Sequence, residues 1–217
     1  MTAKYLHNSN RFFILQSEFK GVERISVVDM VTKEVRMLKI PNQTCDQALR
    51  QGDYILMQVF EDTLVINYSD INTPPKIYCV HFKQILAEGQ TLSQLVDAAN
   101  LDVNILEELS LTSPGDEFGR FYHDHVKSIK QDYVLLENGA EALVLWSGSL
   151  APDKKHPMLV IVHGGPFSCS PYQLFLPTRQ TLLMQGYVLL ILNFRGSIGY
   201  GEDLMNSLLS NIGVNDV

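Results

Sequence analysis

Cysteine is scarce in these 217 residues: Cys45, Cys79 and Cys169 are far apart in the chain and odd in number. They form neither a disulfide framework nor a C-x-x-C metal or redox site, which points to a reducing, cytoplasmic compartment. No apolar run reaches the ~20 residues of a membrane-spanning helix. The first residues, Met1-Thr2-Ala3-Lys4-Tyr5, have no signal-peptide core. Positive charge is also thin, with 17 Lys and Arg against 24 Asp and Glu and a formal charge of −7. Residues 1–150 hold 13 against 20, and residues 151–217 hold 4 against 4, so the acidic excess lies in the first part. An acidic surface without a Lys/Arg stripe argues against binding to nucleic acid or to an anionic membrane, and is read as a solvated face. Finally, G-x-S-x-G occurs nowhere, so no serine here sits on a nucleophile elbow.

What is present is a normal globular composition, 46% hydrophobic, and a length that suits one large domain or two small ones. The first eighty residues read as short strands between turns. Residues 11–16, 22–31, 35–40, 54–60, 63–68 and 76–82 are rich in β-branched and aromatic side chains. Thr32-Lys33-Glu34, Pro41-Asn42-Gln43, Glu61-Asp62 and Pro74-Pro75 punctuate them. Regular short strands predict an all-β sandwich, barrel or propeller, and no clean internal repeat chooses among these. Residues 91–100 fit an amphipathic helix with Leu92, Leu95, Val96 and Ala99 on one face, whereas 103–109 fit either strand or helix.

Turn formers cluster at Thr112-Ser113-Pro114-Gly115-Asp116, which is the expected domain boundary. Beyond it, residues 133–137 and 141–146 read as strands around Asn138-Gly139, a hairpin signal because both residues tolerate positive φ. A fully apolar strand at 158–162, a helix at 171–185 closed by Gly186, a second buried strand at 187–194 and a helix at 202–210 follow. Strand, helix, strand, loop, helix is the alternation of a doubly wound α/β sheet.

The chemistry-bearing pattern is His163-Gly164-Gly165-Pro166, directly after the first apolar strand. This is the oxyanion-loop pattern of α/β-hydrolases, where glycines let backbone N–H groups approach a developing negative charge. It equally describes a tight strand-to-helix turn. Residues 195–201, R-G-S-I-G-Y-G, run G-x-x-G-x-G rather than G-x-G-x-x-G, so a dinucleotide site is rejected. A structural loop with Arg195 paired to a carboxylate is the expectation. His123-Asp124-His125 offers at most two metal ligands and is read as a solvated linker. Ser168, Ser170 and Ser197 all lie outside an elbow and are rejected as nucleophiles.

H-G-G-P at 163–166, N-F-R-G-S-I-G-Y-G at 193–201 and G-V-N-D-V at 213–217 together resemble the prolyl oligopeptidase family of serine peptidases, most of all its acylaminoacyl-peptidase branch. Pro74-Pro75-Lys76-Ile77-Tyr78 and Leu106-Glu107-Glu108-Leu109 resemble the last part of that family's propeller. The resemblance implies the C-terminal part of a β-propeller over residues 1–112 and the N-terminal part of an α/β-hydrolase domain over 113–217. It implies a serine peptidase that releases an N-acylated amino acid from the blocked end of a short peptide, with no cofactor and no metal. Carried over, Gly165 supplies the oxyanion-hole N–H, His163 is structural, and the Ser-Asp-His triad falls outside these residues. The expectation is therefore a portion of a longer polypeptide, inactive alone, with N-acylated peptides as substrates and homo-oligomerisation left open. The rivals are a catalytically silent interaction protein on the same fold, or another α/β-hydrolase such as an esterase or dipeptidyl peptidase.

Overall fold

A computed structural model describes residues 2–6, 11–38, 52–83, 91–97, 101–108 and 117–216. The chain is mostly β and divides into two compact units. The first comprises Met1–Glu18, Val22–Asp70 and Pro75–Leu109, and the second Phe19–Gly21, Ile71–Pro74 and Ser110–Val217. The turn cluster at 112–116 lies outside the described residues.

The first unit repeats one topology twice. Strands β1 (Thr2–Tyr5), β2 (Phe12–Phe19), β3 (Val22–Asp29) and β4 (Val35–Met37) form one sheet in chain order. Strands β5 (Asp53–Phe60), β6 (Thr63–Asp70), β7 (Thr73–Phe82) and β8 (Leu101–Glu108) form a second in the same order. The sequence shows no clean repeat because what recurs is the alternation of burial and not residue identity. In β6, fully buried Leu64 and Ile66 alternate with less buried neighbours, the period-2 signature of a pleated strand. A bulge in β5 at Met57 shifts the register against β6 and turns that side chain out to solvent. Phe12, Ile14, Ile25, Val27, Leu64, Ile66, Val80 and Phe82 belong to one buried cluster drawn from both sheets.

Three local expectations are corrected in this unit. Strand β1 lies ahead of the first expected strand. The Pro74-Pro75 break is inside β7, which tolerates it because pairing with β8 starts only at Lys76. The helix expected over 91–100 is one turn, α1 (Leu92–Leu95), capped where Thr91 N–H donates to Gln94 Oε1 at 2.8 Å and ended at Val96.

The β3–β4 turn is organised by a buried carboxylate. Asp29, 1% exposed, accepts from Arg11 Nη2 at 2.8 Å and Nε at 3.1 Å, and from the backbone N–H of Val31 at 2.9 Å. The Arg11 hydrogen bonds outweigh the cost of burial and hold the Asp29 carboxyl down at about 2. A depressed carboxyl stabilises the fold in its ionised form. Its contribution is fully present above the ordinary value of 3.8 and is lost as pH falls through about 2. Acid unfolding followed by circular dichroism should therefore show Asp29→Asn losing the part of the wild-type pH dependence between pH 4 and pH 2.

The second unit begins with helix α2 (Glu117–Ser128), so His123-Asp124-His125 is helical and not a linker. Next come β9 (Ile129–Leu135), β10 (Glu141–Ser147), β11 (Met158–Val162), helix α3 (Pro177–Met184), β12 (Val188–Asn193) and the short helix α4 (Glu202–Asn206). The Asn138-Gly139 hairpin forms as expected, with Gly139 at φ 83° and Asn138 Oδ1 accepting from Ala140 N–H at 3.1 Å. The sheet order is β11-β12-β10-β9. β11 and β12 are parallel, while β12–β10 and β10–β9 are antiparallel, so this four-stranded sheet is mixed rather than wholly parallel. Helix α3 bridges the parallel pair and packs on β12 and β10.

Burial follows position in the sheet. Central β10 is buried on both faces, with Ala142, Leu143 and Leu145 at 1% exposure or less. In β12 alternate residues Leu189, Ile191 and Asn193 are fully buried and their neighbours partly so. The expectation of two fully buried apolar strands fails at β11. It is the edge strand, and Met158, Val160 and Val162 are each more than half exposed. An exposed apolar edge invites pairing with other chains. Val160→Lys should raise the concentration at which the chain stays monodisperse in light scattering, with little change in melting temperature. A fall in melting temperature of many degrees would show that Val160 is covered in solution.

Candidate functional site

Parallel pairing of β11 and β12, from Met158↔Val188 to Val162↔Leu192, delivers the two following loops to the same end of the sheet. One loop begins with His163-Gly164-Gly165-Pro166 and the other with Phe194-Arg195-Gly196-Ser197. They are fastened together. Phe167 N–H donates to Gly196 O and Ile198 N–H to Ser168 O, both at 3.0 Å. Gly196 N–H in turn donates to Leu204 O at 2.8 Å, joining the second loop to α4.

His163 makes a third link. Its ring stacks on Phe194, with centroids 4.4 Å apart and planes 16° from parallel. Its Nε2 lies 2.8 Å from Ser197 Oγ, which itself donates to Phe194 O at 2.7 Å. Burial pushes the imidazole below its ordinary value, against a weaker opposing effect from the backbone of Gly164 and Gly165. Neither glycine reaches hydrogen-bonding geometry, and Nδ1 is buried without a partner among the described residues.

Gly165 stands apart from this fastened frame. It is exposed, at φ 70°, and a side chain built on it or on Gly164 would meet nothing within 4 Å. Its N–H has no acceptor among the described residues. Phe167, two residues on, is also left-handed at φ 62°, a conformation that a bulky residue adopts only when its surroundings impose it. The arrangement is a turn tied at His163 and Phe167, with an exposed N–H between them of the kind that can stabilise an oxyanion.

Behind the loops lies a buried polar cluster. Asn193, the last residue of β12, accepts from Ser170 N–H at 2.6 Å and donates from Nδ2 to Ser170 O and Tyr200 Oη, both at 3.1 Å. Tyr200 Oη donates to Glu141 Oε1 at 3.1 Å, and Tyr172 Oη to Glu141 O at 2.7 Å. Burial raises both phenols well above their ordinary value, so they remain neutral donors. Sequence reasoning passed over Glu141, Asn193 and Tyr200. The available signal was a polar Asn closing an apolar strand and an acid opening the strand after the hairpin.

The other sequence candidates fall as follows. Ser170 and Ser197 are buried, at 4% and 0% exposure, with structural bonds, and Ser168 serves through its carbonyl. Arg195 Nε donates to the Asn215 carbonyl at 2.5 Å, which corrects the expected carboxylate partner among the described residues. His123 and His125, two positions apart on α2, project about 200° apart around the helix and do not converge.

The two glycines of this frame are constrained differently, and substitution should separate them. At Gly165 an Ala incurs only the left-handed backbone cost of about 1–2 kcal/mol. At Gly196, φ 100°, a new Cβ would also overlap the Leu208 side chain. Urea denaturation should rank Gly196→Ala as clearly the more destabilising, and the reverse order would show that the Gly165 turn is packed from outside.

No protein-family model matches the chain. Comparison with curated proteins finds acylamino-acid-releasing enzyme 2 of rice (Oryza sativa subsp. japonica), 39% identical over 214 residues, or 94% of this chain and 25% of that protein. Rice acylamino-acid-releasing enzyme 1 is 29% identical over 219 residues with the same two shares. The human acylamino-acid-releasing enzyme is 29% identical over 169 residues, covering 76% of this chain and 21% of that protein. Among solved structures, Pyrococcus horikoshii acylaminoacyl peptidase superposes with a TM-score of 0.64 at 19% identity, over 99% of this chain and 28% of that one. Oligopeptidase B from Trypanosoma brucei gives a TM-score of 0.64 at 13% identity, over 96% and 26%. At these identities the two structures establish a shared fold. The chain spans about a quarter of the length of the curated relatives it matches.

Proposed function

Because the chain belongs to the acylaminoacyl peptidase group of the prolyl oligopeptidase family, we propose that it carries the oxyanion-loop portion of a serine exopeptidase. The first unit, with two four-stranded meanders in chain order, is then two blades of a β-propeller. The second, with its parallel β11–α3–β12 crossover, is the front of an α/β-hydrolase domain. The substrates are short peptides whose first residue is N-acylated, and the setting is cytoplasmic. The product is the free N-acyl amino acid.

One observation supports this reading above the rest: Gly165 is exposed and its N–H has no acceptor among the described residues, in a turn fastened on either side at His163 and Phe167. When a nucleophile adds to the scissile carbonyl, its oxygen gains negative charge. An N–H already fixed in place stabilises that charge without reorganising. His163 takes no proton from substrate in this scheme, since its Nε2 is engaged by Ser197. The nucleophile does not come from these 217 residues, which contain no elbow serine.

Two measurements test the proposal. The 217-residue chain should show no saturable labelling by a serine-directed phosphonate and should release no acetyl-alanine from a blocked peptide. Specific labelling of any serine here would overturn the assignment of the nucleophile to other residues. Gly165→Pro is a poor probe of the donor, because proline cannot adopt φ 70°. A better one is an amide-to-ester exchange at Gly165, which deletes the N–H and keeps the turn. In an active polypeptide carrying these residues with an elbow serine, it should lower kcat roughly 10²–10³-fold with little change in KM. An unchanged kcat would mean that Gly165 is only a turn residue.

A further inference from the structure

We infer that Ser197 is the positioning residue of the oxyanion loop, fixing His163 as the neutral Nε2–H tautomer and, through that ring, the backbone that presents Gly165. The inference rests on the reading of Gly165 above and adds to it the group that holds the donor in place.

The argument follows one proton. Ser197 Oγ lies 2.7 Å from Phe194 O and 2.8 Å from His163 Nε2. A carbonyl oxygen has no hydrogen to give, so the single hydroxyl proton of Ser197 is committed to Phe194. Toward His163 the hydroxyl oxygen can then only accept, and Nε2 must carry the hydrogen. Nδ1 keeps its lone pair, buried and unpartnered among the described residues. Burial of the ring favours the neutral state as well.

The geometry around this bond is closed on each side. Phe194, which supplies the carbonyl, also supplies the ring on which His163 stacks. Ser197 is fully buried, and its own N–H returns to Phe194 O at 3.1 Å. The imidazole is therefore held face-on by Phe194 and edge-on by Ser197. Gly164 and Gly165 follow directly from its backbone, with no side chains to order them. Two links set the ends of the turn, His163–Ser197 at its start and Phe167 N–H to Gly196 O at its finish. The second needs only backbone. The first needs a hydroxyl at position 197.

Nitrogen-15 NMR of the 217-residue chain, labelled at histidine and glycine, tests the assignment directly. The His163 ring should show a protonated, slowly exchanging Nε2 and an unprotonated Nδ1. In Ser197→Ala, exchange of that ring proton should accelerate roughly tenfold, the factor one buried hydrogen bond is worth, tautomers should mix, and the Gly164 and Gly165 amides should shift. A merely space-filling serine would leave the tautomer unaltered. A wild-type Nδ1–H tautomer, or a Ser197→Ala spectrum unchanged at His163 and at both glycines, would overturn the inference.

If Ser197→Ala does not fold, the comparison moves to His163→Gln and His163→Leu. Gln keeps an N–H donor aimed at Ser197 Oγ and should hold the glycine amides near their wild-type positions. Leu fills similar volume without a donor and should not. Equal spectra for Gln and Leu would overturn the inference. The tautomer is read without turnover, so a correct Ser197 assignment with an inert Gly165 ester would refute the oxyanion reading alone.

Discussion

Parallel pairing of β11 with β12 is the constraint from which the site follows. In an antiparallel pair, the residue after one strand lies beside the residue before the other. In a parallel pair, both exits lie side by side, and a crossover, usually a helix, joins the strands to make this so. Here α3 is that bridge, and Val162↔Leu192 is the last matched pair. His163 and Asn193 then leave the sheet next to each other. Every later contact of the site, the stack, the hydroxyl link and the two backbone bonds, depends on that adjacency.

The same constraint fastens the flanks of the turn and leaves the Gly165 N–H without an acceptor among the described residues. Among buried polar atoms, an unmet hydrogen bond costs on the order of 1–3 kcal/mol, so the loops satisfy most of theirs inwardly through Asn193, Tyr200, Tyr172 and Glu141, with His163 Nδ1 the exception. An exposed N–H carries no such penalty because water meets it. Gly165 can therefore stay unpaired at little cost to the fold, and a ligand need only displace water to reach it. Left-handed backbone at Phe167 is strained, and the Phe167 N–H to Gly196 O bond holds it in place, whereas Gly165 adopts its φ of 70° at no such cost.

Most strands were legible because their pattern is local. Alternation across β6, the apolar run of β12 and the Asn138-Gly139 turn each lie within a few residues. The motif at 163–166 was legible for the same reason. What stayed hidden depended on partners far along the chain. Nothing in Met158–Val162 distinguishes an edge from a centre, and its exposure is set by what stands beside it. Helix α2 was hidden because His123-Asp124-His125 invites a reading by its chemistry rather than by its place in a helix. The partner of Arg195 proved to be a backbone carbonyl, to which no residue type points. The doubled meander was invisible because strand order can recur without recurring residues.

A His-Gly-Gly-Pro loop borne by the exposed edge strand of its sheet raises the question of what fixes its geometry. Packing of β11 is a weak answer, since Met158, Val160 and Val162 all face solvent. Ladder hydrogen bonds to β12 hold one side of β11, and edge strands with few buried contacts are the first to open. The loop is nevertheless attached beyond the strand end at His163, Phe167 and Ser168, each to a residue within 194–198, and at Ser170 to Asn193. Those residues are secured in turn by the Asn193 cluster and by Gly196 N–H to Leu204 O. Order in the loop is thus borrowed from the neighbouring loop and not from its own strand. Fraying of β11 can proceed from the Met158 end without disturbing the turn, because the links lie past the Val162 end. In this chain the Gly196-Ser197-Ile198 segment acts as the mount of the His163–Ser168 loop.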